Sequence, residues 1–127
     1  MATILILDDD EPIVVFLSEI LLAVGHLVIS ANTAARAREV LGSERNISLL
    51  ILDHHLEGES GLQLLTELRQ SARFRSLPVI VCSGDAKPES VKGFLSLQIA
   101  SFIVKPFTTQ RILSEVEHVL LCSGNST

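Results

Sequence analysis

The chain has five aspartates, Asp8, Asp9, Asp10, Asp53 and Asp85, and each lies just past a short apolar run. Asp8, Asp9 and Asp10 follow Ile4-Leu5-Ile6-Leu7, and Asp53 follows Leu49-Leu50-Ile51-Leu52. Val79-Ile80-Val81-Cys82 leads into Ser83-Gly84-Asp85, and Phe102-Ile103-Val104 leads into Lys105-Pro106. Carboxylates gathered in one cleft repel each other by on the order of a few kcal/mol per close pair when partly desolvated. A hard divalent cation relieves that repulsion. An oxygen-only donor set, with no Cys or His at ligand spacing, selects Mg²⁺ or Mn²⁺. A lysine and a hydroxyl beside such an ion suit a phosphoryl group: Lys105 neutralises its oxygens and Ser83 hydrogen-bonds one of them. Taken singly, these residues are ordinary. An acidic run is usually a solvated loop, a lone Asp a turn or N-cap, and Lys-Pro or Ser-Gly a turn. Their joint placement is the specific signal.

That placement requires elements that deliver all of these residues to one edge. The apolar runs Ile4–Leu7, Leu27–Ile29, Leu49–Leu52, Val79–Cys82 and Phe102–Val104 are continuous, as expected of strands covered on both faces. Segments of helical period separate them. Ile13, Phe16, Leu17, Ile20, Leu21 and Val24 fall on one helical face, with Pro12 suited to the first helical position and Gly25 to a left-handed cap. Further helices are expected from Thr33, from Ser60 to about Ala72, from Pro88 with Val91, Phe94 and Leu95, and from Thr108 or Thr109. Gly93 weakens the fourth. Five strand–helix alternations imply an α/β fold, a five-stranded parallel sheet with helices on both faces. On such a sheet, ligands bind at the carboxyl ends of the strands.

The composition agrees. The chain's 127 residues suit one domain, and 47% hydrophobic content with 20% charged residues excludes disorder. There is no Trp or Tyr, so the core is aliphatic. A net charge of −5 repels phosphate backbones and argues against direct nucleic-acid binding. Apolar stretches of four to five residues cannot span a bilayer, and the first residues, with no basic region and no long apolar run, do not read as a signal peptide. Cys82 and Cys122 lack a metal-type spacing and read as free thiols in a reducing, cytoplasmic setting.

The residues Ile4-Leu5-Ile6-Leu7-Asp8-Asp9, then Leu49 to Asp53 with Gly61 eight residues on, then Pro78 to Gly84, then Lys105-Pro106-Phe107 resemble the receiver domain of two-component response regulators. The resemblance runs from about residue 3 to about residue 121. It implies a (βα)5 flavodoxin-like fold with strand order 2-1-3-4-5, an order for which this family is a standard example. It implies a receiver domain over residues 1–122 and a flexible tail over 123–127. Asp53 matches the phosphoacceptor. Asp8 and Asp9 match the acidic pair that holds Mg²⁺ (or Mn²⁺) together with Asp53 and the backbone carbonyl of His55. Ser83 matches the switch hydroxyl, Phe102 the aromatic that follows it, Lys105 the phosphoryl-binding lysine, and Pro106 a cis-proline. The implied partners are a histidine kinase or histidine phosphotransfer domain and a downstream protein. The latter reads the face of helix four, strand five and helix five. The implied chain is a monomer or a phosphorylation-dependent dimer. It is a signalling domain rather than an enzyme, with at most self-phosphorylation and slow autodephosphorylation.

Some positions depart from that pattern. Leu56 and Glu57 replace the family's Met-Pro, and Ile99 stands where Gly is usual before the fifth strand, so that turn must differ. His54 and His55 are expected to leave the strand end on different sides, which speaks against a histidine-ligated transition metal; His55, with Asp85, is a candidate for tuning dephosphorylation. Arg69, Arg73 and Arg75 read as a solvated helix end, or else a small docking patch. Two competing readings remain: a pseudo-receiver that binds without phosphoryl chemistry, and a haloacid-dehalogenase-like phosphatase with Asp8 as nucleophile and Asp10 as general acid. The stop near the fifth helix leaves a single-domain regulator or a receiver within a longer protein as expectations.

Overall fold

The structure, a computed structural model, describes every residue except Met1, Arg45, Glu57, Ala86 and 123–127, so the expected tail and the Glu57 departure lie outside the described residues. Five parallel strands form the sheet: β1 (Thr3–Leu7), β2 (Leu27–Ala31), β3 (Ile47–Asp53), β4 (Val79–Ser83) and β5 (Ser101–Val104). Their order is β2-β1-β3-β4-β5, the order implied by the resemblance. The helices are α1 (Glu11–Ala23), α2 (Ala34–Ser43), α3 (Gly61–Gln70), α4 (Pro88–Leu95) and α5 (Thr109–Cys122). A two-residue antiparallel pair, His55–Leu56 with Glu59–Ser60, folds the chain back between β3 and α3.

Strand alternation divides the core in two. Leu5, Leu7, Leu50, Leu52, Val79 and Val81 point to one face, where α2, α3 and α4 contribute Ala37, Leu41, Leu64, Leu65 and Phe94. Ile4, Ile6, Leu49, Ile51, Ile80 and Cys82 point to the other, where α1 and α5 contribute Leu17, Leu21, Ile112 and Val116. Both faces of β1, β3 and β4 are thus covered, which explains their unbroken apolar runs. The edge strand β2 is different: Leu27 is exposed. Val24 and Leu95, each the last apolar residue of its helical pattern, are exposed as well.

Local signals set the helix ends. Thr33 caps α2 by accepting the Arg36 N–H, and Ser60 and Gln63 form a reciprocal capping box on α3. Pro12 occupies the second rather than the first position of α1, because Asp10 is the N-cap. Gly25, at φ +95°, takes the left-handed position after that helix. Before β5, Gln98 adopts φ +59°, so a non-glycine residue makes the left-handed turn that Ile99 displaced.

The three arginines at and just past the end of α3 do not form one solvated patch. Arg69 donates from Nε to the Leu97 carbonyl at 2.8 Å, and from one terminal nitrogen to the carbonyls of Phe74 at 2.9 Å and Leu77 at 2.8 Å. Its guanidinium ties the α3–β4 and α4–β5 connections together at the amino edge of the sheet, answering carbonyls that those turns leave open. Arg73 reaches the Glu44 carbonyl at 3.1 Å and lies over the Phe74 ring. Arg73 and Arg75 are both exposed, as the solvated reading expects, and only Arg69 departs from it. Arg69→Ala is expected to lower stability by about 2–4 kcal/mol, whereas Arg75→Ala should change it by no more than about 0.5 kcal/mol. Urea denaturation of the two variants beside the parent protein checks this, and equal small losses would show that the clamp is dispensable.

Candidate functional site

The carboxyl ends of β1, β3 and β5 bring Asp8, Asp53 and Lys105 together. Asp8 follows β1 directly, and its backbone N–H donates to the Ala31 carbonyl at 3.2 Å, extending the β1–β2 ladder by one bond. Its Oδ1 accepts the Asp10 N–H at 2.9 Å. Its Oδ2 accepts a hydrogen bond from Lys105 Nζ at 3.0 Å. Asp53 is the last residue of β3 and pairs with Cys82 of β4. Its Oδ1 accepts from the same ammonium at 3.2 Å. Lys105 is fixed at its own backbone, where its N–H donates to the Ser83 carbonyl at 2.8 Å. The Lys105–Pro106 peptide is cis, the isomer that the resemblance implies.

Three carboxylates converge, not all five. Oxygens of Asp8, Asp9 and Asp53 lie within 4.8 Å of one another, with Asp8 and Asp53 buried and Asp9 exposed. Asp10 instead serves as the N-cap residue of α1, and Asp85 faces two histidines. Burial raises the Asp53 carboxyl to about 6, and the Asp8 charge beside it pushes the same way against the pull of Lys105. Burial works against the Lys105 ammonium too, but its hydrogen bonds and charge contacts with Asp8 and Asp53 outweigh that, and its pKa is raised.

Behind Asp53, α3 begins at Gly61. Its N–H donates to the His54 carbonyl at 2.8 Å. A Cβ on Gly61 would stand 2.3 Å from the Asp53 carbonyl oxygen, so no other residue fits without moving the end of β3. That is the physical reason for a glycine eight residues after the aspartate.

Ser83, fully buried at the end of β4, turns its hydroxyl to its own loop: Oγ accepts the Asp85 N–H at 2.9 Å. Phe102, half-buried on β5, packs on the fully buried Phe94 with ring centroids 6.0 Å apart. The histidines do not diverge as expected. Their rings stack with centroids 4.2 Å apart. The chain bends at His54 once β3 has ended, so strand alternation no longer separates the two side chains. His54 is buried, set edge-on to Phe94 at 4.9 Å, with Nδ1 3.5 Å from Ser83 Oγ. Burial lowers its pKa, the neighbouring His55 adds to this, and Asp85 opposes it. Sequence reasoning undervalued His54, because no pattern in the residues themselves reveals a side chain tucked beneath a neighbouring strand.

A sequence profile of the response regulator receiver domain matches residues 4–117. The chain belongs to the response regulator receiver domain family. The receiver is 31% identical over 111 residues to the sensory/regulatory protein RpfC of Xanthomonas campestris, covering 86% of this chain and 15% of RpfC. The chain thus spans a small part of that relative's length. A response regulator receiver protein from Pseudomonas putida is 31% identical and superposes with a TM-score of 0.87 over 92% of this chain and 96% of that one. The CheY-like receiver of Methanospirillum hungatei JF-1, at 24% identity, shares the fold with a TM-score of 0.91 over 100% of this chain and 99% of that one. Among the described residues, no helix of the receiver is long and apolar enough to cross a membrane. The phosphatase reading has no support in these matches.

The electrostatics of Asp53 give a stability prediction. A carboxyl whose folded pKa lies above its unfolded value favours the fold while protonated. That advantage is lost as pH rises from about 4 to about 6, where the folded group ionises. Asp53→Asn, which abolishes the buried charge but also a Lys105 hydrogen bond, is expected to stabilise the chelator-treated protein by about 1–2 kcal/mol at pH 7. The gain should shrink as pH falls through 6 toward 4. Urea titrations at both ends of that range check it, and an unstabilised variant at neutral pH would contradict it.

Proposed function

We propose that this receiver accepts a phosphoryl group from a phosphohistidine of a partner kinase or phosphotransfer domain onto Asp53, and so switches a protein-binding surface. The observation that carries the reading is the convergence of Asp8, Asp9 and Asp53 with Lys105 Nζ held between two of them. The donor set of three carboxylates, without sulfur or nitrogen, fits a hard cation, and Asp8, Asp9, Asp53 and the His55 carbonyl would hold Mg²⁺. When bound, Mg²⁺ supplies positive charge to the oxygens of the transferring group.

The chain's own residues account for the rest. An Asp53 carboxylate oxygen attacks phosphorus in line, forming the O–P bond as the N–P bond of the phosphohistidine breaks. The electron pair leaves with the imidazole, which picks up a proton from solvent. Lys105 is already within hydrogen-bonding range of the Asp53 carboxylate, so its ammonium meets the developing charge without reorganising. The product carries about two negative charges. Ser83 then has a stronger acceptor than Asp85 to turn to, and Phe102 follows into the space it leaves. The result is a population shift between two packings of the α4–β5–α5 face. Leu95 of α4, Val104 of β5 and Leu121 of α5 are exposed there, which supports a protein partner as reader of that face.

The test is incubation with Mg²⁺ and acetyl phosphate, followed by intact mass measurement. One phosphoryl group is expected on the parent protein and none on Asp53→Asn. Lys105→Ala should slow labelling by about tenfold or more. Parent protein that stays unlabelled with both acetyl phosphate and phosphohistidine donors would leave the pseudo-receiver reading in place.

A further inference from the structure

Beside the acidic site stands a second set of ligand-type atoms. His54 Nδ1 lies 3.8 Å from Asp85 Oδ2, and His55 Nε2 lies 3.7 Å from the same oxygen. All three donor residues offer one atom each within 4.8 Å of the others. We propose that His54, His55 and Asp85 form a site for a borderline divalent transition-metal ion of the zinc type, distinct from the carboxylate cluster of Asp8, Asp9 and Asp53.

The two histidine–carboxylate spacings are close to what such an ion requires. Zinc bonds to nitrogen and oxygen of about 2.0–2.1 Å, at a tetrahedral angle, place ligand atoms about 3.3–3.4 Å apart. The two histidine–carboxylate distances need to shorten by only a few tenths of an ångström. Two imidazoles and one carboxylate suit zinc, and they do not suit Mg²⁺, which takes oxygen. The rings stack with their planes 26° apart, so their in-plane lone pairs run nearly parallel, and joint coordination requires the exposed His55 ring to turn out of the stack toward the ion. His54 is positioned by burial against Phe94, whereas the His55 side chain is 70% exposed and leaves a path for entry. Asp85 is steadied from behind: Oδ1 accepts the Lys87 N–H at 3.0 Å, and Oδ2 accepts the Ser90 hydroxyl at 3.0 Å while keeping a lone pair free. Three protein ligands leave a fourth position for water.

An ion here joins the turn after β3 to the loop after β4. Those segments carry Asp53 and Ser83. Asp85 is also the residue whose backbone N–H and carbonyl hold the Ser83 hydroxyl, at 2.9 and 3.3 Å. Metal binding therefore fixes Ser83 in its outward-bonded arrangement and slows phosphorylation of Asp53. This second consequence rests on the proposed phosphoacceptor function; the site itself does not.

The experiment is calorimetric titration of tag-free protein with Zn²⁺ in excess Mg²⁺, which occupies the acidic cluster. One Zn²⁺ per chain is expected. His55→Ala and Asp85→Asn should each weaken binding by at least about tenfold, and Asp9→Asn should leave it unchanged. His55 is exposed, so its replacement does not threaten folding, and thermal melts of the metal-free variants verify this. Absence of zinc binding, binding unaffected by both His55→Ala and Asp85→Asn, or binding lost in Asp9→Asn would overturn the site. In a second arm, Zn²⁺ should lower the initial rate of acetyl phosphate labelling in the parent protein more than in His55→Ala. Equal inhibition of both would overturn the coupling while leaving the site to the calorimetry. A parent protein that is never labelled refutes the phosphoacceptor reading alone.

Discussion

The Lys105 ammonium, shared between Asp8 and Asp53 at 3.0 and 3.2 Å, is the contact on which the rest of the molecule's arrangement turns. It joins residues 97 and 52 positions apart in the chain, so it exists only if β1, β3 and β5 end at the same level. A parallel sheet meets that condition by construction, because every crossover returns the chain to the same edge. The partial burial that makes two neighbouring carboxylates costly also makes one lysine between them effective. The balance is deliberately incomplete in charge terms: three carboxylates face one ammonium, and burial still lifts Asp53 to about 6. A cleft in that state favours any cation that enters.

The opposite edge of the sheet solves the mirror-image problem. There the turns present carbonyl oxygens, and the cation is Arg69, whose planar fork meets the carbonyls of Leu97, Phe74 and Leu77. One edge collects acids around a lysine and remains open to a ligand. The other has three of its carbonyls answered by one arginine. Between the two runs a core with no aromatic residue on β1, β3 or β4, where aliphatic side chains in two layers fix the strand register. Arg69 thereby ties the start of β4 and the turn before β5 to the end of α3, at the edge away from the acidic cluster.

Much of this was legible in the residues. Continuous apolar runs mark strands covered on both faces, helical stripes mark their crossovers, and aspartates after the first and third runs must then share an edge. Helices were expected to start at Thr33 and Ser60, and both residues prove to be N-caps. What escaped the sequence shares a cause: side chains whose partners lie far away in the chain and whose direction depends on local backbone. Arg69 looked like surface charge because backbone carbonyls carry no signature in a sequence. Gln98 at φ +59° could not be anticipated, since the missing glycine said only that the turn differs. The two histidines were assigned to opposite sides by strand alternation, a rule that ceases to apply one residue after β3 stops.

That last failure bears on function. Asp53 and His54 are neighbours in sequence, yet they serve clusters of different chemistry: oxygen donors around Lys105 on one side, imidazole nitrogens with one carboxylate on the other. The donor atoms differ: the first set is oxygen alone, which suits Mg²⁺, and the second, with two imidazoles, does not. The backbone gives no such separation. The His54 carbonyl accepts the Gly61 N–H, and Gly61 lies against the Asp53 carbonyl with no room for a Cβ, so the end of β3 and the start of α3 are held together. On the other side, Ser83 hydrogen-bonds Asp85 and stands 3.5 Å from His54 Nδ1. The proposed ion, through Asp85, and the proposed phosphoryl group on Asp53 would therefore both bear on the position of one serine hydroxyl.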